Sequence, residues 1–265
     1  MPEIKKVLIV TNIPNPYRIP LFNELNKKLS ETNIQLKIAF GAATYSRRKF
    51  QLNPEDFKFD YTILASKTFH FGNNEKTFFT YKGLLKTVKE FHPDKIIIIG
   101  FSIGTVKLWL RSFFKKNHYI IWSGSILNSG RYNSLFRKIE RKILMSRASG
   151  FIAYGNKAKQ YLVANGADAN KVAIGINTVD TSFFVEETRK LRSKLSHDRK
   201  KHLLYLGYLT PGKQVIKLLE TIQMLTEIRA DFILDIVGDG SEKLNLEKFI
   251  NENLLEQYVI FHGFK

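Results

Sequence analysis

The sequence contains no cysteine. That excludes disulfides, thiolate metal sites and a cysteine nucleophile, and it fits a reducing compartment. No apolar run approaches the ~18 residues that a spanning helix needs. The longest, Ile96 to Ile99 with its flanks, has the length of a strand. The N-terminus, MPEIKKVLIVTN, passes directly into a strand-like run with no small-residue cleavage site behind it, so it does not read as a signal peptide. The histidines at 70, 92, 118, 197, 202 and 262 show no H-x-x-x-H spacing and read as isolated, and Asp-x-Asp does not occur. No metal site is therefore assigned. Low-complexity tracts and short-period repeats are absent as well.

Acidic residues are scarce: 24 Asp+Glu stand against 42 Lys+Arg, a net charge of +18. The imbalance is local. Residues 1–200 hold 35 Lys+Arg and 15 Asp+Glu, a net of +20, whereas residues 201–265 hold 7 and 9, a net of −2. Such a field implies an anionic partner for the first section: a membrane surface, nucleic acid or a phosphorylated substrate. A lysine-biased genome with ordinary solvated faces would give the same count.

What is present is a chain long enough for two domains, 265 residues at 44% hydrophobic. Short apolar runs alternate with helical periodicities. Strands are expected at 7–12, 34–40, 95–100, 119–122, 150–154 and 171–177, with a weak one over Asp60 to Leu64. Between them, helices are expected after Pro20 with Leu21, Leu25 and Leu29 inward, over 77–91 with Leu84, Leu85, Val88 and Phe91 inward, and near 103–116, 134–147 and 156–164. Gly166 suits a C-cap. This alternation calls for a parallel sheet with helices on both faces. A charged, helical linker over 183–201 separates this domain, 1–182, from a second α/β unit over 202–265, with strands at 202–208, 232–239 and 258–264 and helices at 213–227 and 242–253.

Five segments carry candidate chemistry. In YLGYLTPGKQV (205–215) a strand ends at Gly207 and Lys213 stands where a helix begins, an arrangement suited to a diphosphate and equally to a plain tight turn. IVGDGSEKLNLE (236–247) turns sharply at Gly238, Asp239 and Gly240, but Lys243 occupies the third position of a dinucleotide fingerprint, which disfavours a nicotinamide enzyme. The loop TNIPNPYRIP (11–20) offers Asn15, Tyr17 and Arg18 at the carboxyl end of the first strand, where ligands of open parallel sheets bind. WSGSILNSGR (122–131) offers Ser123, Gly124 and Ser125, with hydroxyl and backbone donors but no titratable base. In SLFRKIERKILMSR (134–147), Leu135, Phe136, Ile139 and Ile143 share one arc of the helical wheel and Arg137, Lys138, Arg141 and Lys142 the opposite one. The expected packing puts the apolar stripe on the sheet and the four cations toward an anionic membrane.

Taken together, ANKVAIGINTVDTSFF (169–184), LLYLGYLTPGKQVIKLLETIQML (203–225), DFILDIVGDGSEKLNLEKF (231–249) and VIFHGF (259–264) resemble the family-4 (group 1) retaining glycosyltransferases of the GT-B fold. The loops PNPYR (14–18) and WSG and the block AYGNKAKQYL (153–162) resemble bacterial members that build surface polysaccharides such as capsule or lipopolysaccharide. The resemblance implies a complete Rossmann-like N-terminal domain that binds the acceptor and the first half of a second that binds a nucleotide-diphosphate sugar. Lys213 matches the lysine on the donor diphosphate, Gly207 the glycine opening that loop, and Gly238, Asp239 and Gly240 the strand-end turn. Phe264 and Lys265 reach the edge of the base-binding region. Tyr208 replaces the usual arginine, Gln214 the usual glycine, and Ser123 to Ser125 the stretch where many members carry a histidine.

The family continues into a Glu-x7-Glu motif that this sequence does not contain, so the expectation is a C-terminally truncated or interrupted enzyme with little or no turnover. The function implied for the parent is transfer of a hexose with retention, without cofactor or metal, to a lipid-linked or saccharide acceptor, at the inner face of the plasma membrane. The alternatives are a non-catalytic sugar-nucleotide-binding partner subunit and a basic nucleic-acid-binding protein. The second lacks any RNA-module motif or aromatic platform among its cations.

Overall fold

The computed structural model describes residues 5–44, 53–71, 76–115, 118–127, 135–192 and 200–265. It divides into two compact units, Met1–Val185 and Glu186–Lys265. The division falls within an exposed helix over Thr181–Arg192, inside the segment expected to link the domains.

Unit 1 contains β1 (Lys5–Thr11), α1 (Ile19–Ser30), β2 (Ile34–Phe40), β3 (Asp60–Ile63), β4 (Thr68–Phe71), β5 (Lys76–Phe79), α2 (Leu84–Phe91) and β6 (Lys95–Ile99). It continues with α3 (Ile103–Arg111), β7 (Tyr119–Ser123), α4 (Leu135–Met145), β8 (Gly150–Ala153), α5 (Asn156–Ala164), β9 (Val172–Ile174) and the start of α6 (Thr181–Arg192). Seven strands form one parallel sheet in the order β3-β2-β1-β6-β7-β8-β9. Alternate residues of each strand feed opposite faces, as the pleat requires. Leu8, Val10, Ile96 and Ile98 pack with Leu84 and Val88 of α2 and Leu108 of α3. Ile9, Ile38 and Phe40 pack with Ile19 and Phe22 of α1 on the other side. Burial of both faces explains why these strands read as unbroken apolar runs.

Three local expectations are corrected. In α1 the fully buried residue is Phe22, with Leu25 and Leu29 beside it, and Leu21 lies off the stripe. Full burial of an aromatic ring of that size stabilises by about 2–3 kcal/mol. The helix expected over 77–91 begins only at Leu84, because Thr77, Phe78 and Phe79 belong to β5, paired antiparallel with β4. β-Branched and aromatic residues favour that pairing, and Gly83 at φ +92° starts the helix afresh. Leu85, placed inward by periodicity, is exposed.

Unit 2 contains β10 (Lys201–Leu206), α7 (Val215–Thr226), β11 (Phe232–Val237), α8 (Lys243–Glu252) and β12 (Val259–Gly263). The three strands are parallel in the order β10-β11-β12. One face carries Leu234, Ile236 and Val259 against Leu219 and Ile222 of α7 and Leu246 of α8. The opposite face exposes Leu204, Leu206 and Ile260. There, two histidines read as isolated prove to be joined: His202 Nδ1 and His262 Nε2 each lie 2.6 Å from an oxygen of Asp235. Parallel pairing of three successive strands brings together groups separated by 33 and 27 residues.

Candidate functional site

Both candidate sites lie at the carboxyl ends of parallel strands. In unit 1 the strand order reverses between β1 and β6. The segments leaving those strands diverge there, and ligands of open parallel sheets bind in the resulting crevice.

The segment after β1 is held by a 3-10 turn over Pro16–Arg18, in which the Arg18 N–H donates to the Asn15 carbonyl at 2.9 Å. Asn15 is buried and Tyr17 exposed. Arg18, which retains only 5% exposure, lies among aromatic rings. Its guanidinium carbon is 5.7 Å from the centroids of Tyr17 and Trp122 and 5.8 Å from that of Tyr154. One terminal nitrogen donates to the Tyr154 hydroxyl. Nε is buried without a hydrogen-bond partner, and among the described residues no carboxylate pairs with Arg18.

Trp122 and Tyr154 also form the wall of a cavity of about 560 Å³, completed by Phe101 after β6, Ser123 to Ser125 after β7, and Arg141 of α4. The Trp122 and Tyr154 rings meet edge to face at 6.0 Å, and Trp122 Nε1 donates to the Gly175 carbonyl at 3.2 Å. Gly124 is required by close approach: a Cβ there would fall 2.4 Å from the Tyr154 ring. Ser123 is buried and its Oγ accepts from the Ser125 N–H at 3.2 Å. Residues 128–131 of this loop lie outside the described residues.

Arg141 is the residue that the sequence reading misplaced. It is only 7% exposed. Its guanidinium lies 4.2 Å above the Phe101 ring, and Nη1 is 3.5 Å from a Glu140 carboxylate oxygen. The helix is turned the other way from the expected packing. Arg141, Leu144 and Met145 face inward, whereas Leu135, Phe136, Ile139 and Ile143 are 73%, 78%, 50% and 44% exposed. Lys138 and Lys142 are exposed and Arg137 half-buried, so Arg141 leaves the membrane-facing set. A planar guanidinium stacked on an aromatic ring satisfies an inward position that a hydropathy wheel denies to arginine. The rotation is pinned by Tyr119, whose hydroxyl donates to the Leu144 carbonyl. Burial pushes that hydroxyl's pKa up, against the charge of Arg147, and keeps it a donor.

In unit 2 the site is made of backbone. The Gly207 N–H donates to the Val237 carbonyl at 3.0 Å, Leu209 N–H to Asp239 at 3.0 Å, Glu242 N–H to Leu209 at 3.0 Å and Gly238 N–H to Gly263 at 2.8 Å. A Cβ on Gly238 would lie 1.8 Å from the Gly207 carbonyl oxygen, and one on Gly240 2.2 Å from that of Leu209. Only glycine fits either position. The Asp239 carboxylate accepts from the Gly240 N–H at 2.9 Å. Lys213 is exposed at the end of a 3-10 turn over Pro211–Lys213, immediately before α7, and takes no part in this lacing. Gln214, which stands where the resembled family carries glycine, adopts φ +51° and ψ +39°. Phe264 and Lys265, both exposed, follow Gly263 at the end of β12. The structure thus brings Gly207, Gly238, Asp239 and Gly240 together and sets Lys213, Phe264 and Lys265 on the same strand-end side.

The fold is that of solved nucleotide-sugar proteins. HepE of Anabaena, crystallised in complex with UDP and glucose, is 18% identical with a TM-score of 0.69, over 98% of this chain and 70% of that one. The lipopolysaccharide outer core galactosyltransferase WaaB is 18% identical with a TM-score of 0.60, over 98% and 68%. A UDP-GlcNAc 2-epimerase from Neisseria meningitidis, bound to UDP-GlcNAc, is 16% identical with a TM-score of 0.63, over 98% and 72%. A search of the curated proteins finds no match. The two Rossmann-like units are those of the GT-B fold, and residues 187–265, which contain the laced strand ends, match the family described as glycosyl transferases group 1.

Proposed function

We propose that the chain is a glycosyltransferase, or part of one, that takes a hexose from a nucleotide-diphosphate sugar and passes it to a lipid-linked or saccharide acceptor in surface-polysaccharide assembly. Transfer proceeds with retention at the anomeric carbon and without a metal ion. The observation that carries this reading is that the family match over 187–265 coincides with the glycine-laced strand ends that flank Lys213 in the sequence. An epimerase shares the fold, so fold alone does not choose the reaction; the family match favours transfer.

The chain's own contribution is electrostatic. The dipole at the head of α7 and the Lys213 ammonium offset the charge of a departing diphosphate. Calorimetry of the full chain with UDP tests this. Lys213→Ala is expected to weaken uptake about tenfold or more, the worth of one charge-assisted contact, with an unchanged melting temperature. Equal uptake by both proteins sinks the reading.

The acceptor side is unit 1, peripheral at the inner face of the membrane. The exposed face of α4 now offers its apolar stripe as well as Lys138 and Lys142. Between α2 and α3 a groove of about 730 Å³ is lined by Lys89, Arg111 and Lys115 beside Leu110 and Phe114, and by Lys107, whose ammonium donates to the Thr80 and Tyr81 carbonyls, with no acidic residue in the lining among the described residues. Cations at roughly 1 kcal/mol each, with apolar side chains between them, suit anionic headgroups. Among the described residues no helix is long and apolar enough to cross a membrane. Cosedimentation with anionic vesicles at low salt is expected, and its loss on replacing Phe114 and Lys115 by Ser and Glu identifies the groove. A chain that stays in the supernatant has no such role.

A further inference from the structure

The groove between α2 and α3 opens at the far end of the unit 1 sheet from the candidate site. Helices that connect parallel strands run back against them, so helix C-termini gather at the strand amino ends. The groove takes Lys89, His92 and Pro93 from the end of α2, just before β6 begins at Lys95, and Phe114 and Lys115 from the segment between α3 and β7. The Trp122 and Tyr154 wall belongs to the carboxyl ends. β6, five residues long, spans about 16 Å between the two. The groove has a buried floor, Val88 at 1% exposure, and exposed apolar walls, Leu85, Leu110 and Phe114 at 45%, 51% and 84%. Its charge is of one sign. α3 contains no acid, and Glu90, the one acid of α2, pairs with Lys86 at 3.7 Å and stays out of the lining. Lys89 and Arg111 stand in the last turns of α2 and α3, where cations offset the helix dipoles. Two dipoles amount to about one negative charge, against the four cations Lys89, Lys107, Arg111 and Lys115, so the rim stays positive. The volume of about 730 Å³ falls within the ~300–1,000 Å³ of small-molecule sites.

We infer that this groove holds one hydrocarbon chain of a lipid phosphate drawn from the membrane, with the chain between Leu85, Leu110 and Phe114 and the phosphate on Lys89 and Lys115. The source of the lipid rests on the peripheral-membrane reading, to which the groove adds a discrete site. An amphiphilic anion answers both halves of the lining: free phosphate leaves the apolar walls in water, and an uncharged chain leaves the cations unused. Each buried CH₂ tightens binding roughly fourfold, so the chain contributes more than the phosphate once several carbons are enclosed. Because the groove lies at the strand amino ends, the bound lipid is a tether and not the group that receives the sugar. The crevice at the carboxyl ends stays free for the acceptor.

The test is calorimetry on the full chain with inorganic phosphate and with octyl, decyl and dodecyl phosphate below the concentrations at which they form micelles. Affinity is expected to rise about fifteenfold for each two carbons added until the groove is full. Decylphosphocholine, whose phosphate is neutralised by its own ammonium, should bind about tenfold or more weakly than decyl phosphate. Leu85→Ser and Phe114→Ser, both at exposed positions, should flatten the dependence on chain length at an unchanged melting temperature. Lys115→Glu should erase the preference over decylphosphocholine. Affinity that ignores chain length leaves a plain anion patch and overturns the inference, as does a chain dependence that both serine variants retain. Displacement of decyl phosphate by UDP places it at the diphosphate site and overturns it too. Cosedimentation with anionic vesicles without uptake of alkyl phosphates removes this inference and keeps the peripheral-membrane reading. Chain-dependent uptake without cosedimentation supports the groove and removes that reading.

Discussion

Unit 1 holds 29 Lys+Arg against 12 Asp+Glu, and unit 2 holds 13 against 12. The contrast extends to how each builds its strand-end site. Unit 1 uses side chains drawn from distant positions: Arg18 and Tyr154, in contact, are 136 residues apart. Unit 2 uses backbone groups at the ends of its three strands, at 207–209, 237–242 and 263. A site of side chains can change its ligand by substitution at one wall. A site of backbone cannot change without moving the strands that carry it. The difference accords with the proposed division into an acceptor side and a donor side.

The most forceful way to break this comparison is to add one methyl group to each site. Gly240→Ala drives a Cβ to within 2.2 Å of the Leu209 carbonyl oxygen, which belongs to backbone fixed by its own hydrogen bonds. Gly124→Ala drives one to 2.4 Å from a Tyr154 ring carbon, and that ring, being a side chain, gives way at the cost of straining the hydrogen bond from Arg18. The first is expected to cost unit 2 about 3 kcal/mol, at the upper end of overpacking, and the second about 1 kcal/mol. Urea unfolding measures both. Equal losses would mean that the two sites are equally rigid, and the contrast would fail.

The same contrast decides what could be read without coordinates. Backbone sites leave a local signature: Gly238 and Gly240 are visible because only glycine permits such approaches, and with Gly207 they stand beside strands that the apolar runs already mark. The parallel sheet was legible for the same reason, since burial on both faces leaves β6 with four isoleucines in a row. Side-chain sites leave no such mark. Arg141 looked like one of four outward cations because the wheel of α4 scores hydropathy, and neither the Phe101 ring nor the Tyr119 hydroxyl that turns the helix is near it in sequence. The only signal was the WSG loop, whose small residues announced a close approach without saying of what. His202, Asp235 and His262 were missed likewise, because strand register alone unites them.

That cluster provides the next test, of smaller effect. Burial raises the pKa of the Asp235 carboxyl, but hydrogen bonds from His262 and His202 and their charges outweigh it and leave it below its ordinary 3.8. A carboxyl depressed in the folded state contributes stability that is present above its unfolded value and is lost as pH falls through its folded value. Asp235→Asn is therefore expected to lower stability by about 1 kcal/mol at pH 6, given that both histidines are substantially exposed. The gap between the two proteins should begin to narrow as pH falls below about 4. Melts from pH 3 to 7 read it directly. A gap of undiminished size at pH 3 would assign the effect to packing on the open sheet face.

The finest distinction concerns Gln214. Its left-handed backbone, φ +51° and ψ +39°, sets the angle at which α7 leaves the Lys213 turn. A side chain in that region costs roughly 1–2 kcal/mol that glycine avoids, but glycine loses more chain entropy on folding, by about 0.5–1 kcal/mol. The terms nearly cancel, so Gln214→Gly should raise stability by no more than about 1 kcal/mol and leave UDP uptake unchanged. If the substitution weakens UDP uptake with no loss of stability, the glutamine side chain itself reaches the nucleotide. The unit 2 site would then no longer be purely backbone and one lysine, and the division of labour between the two units would narrow to a difference of degree.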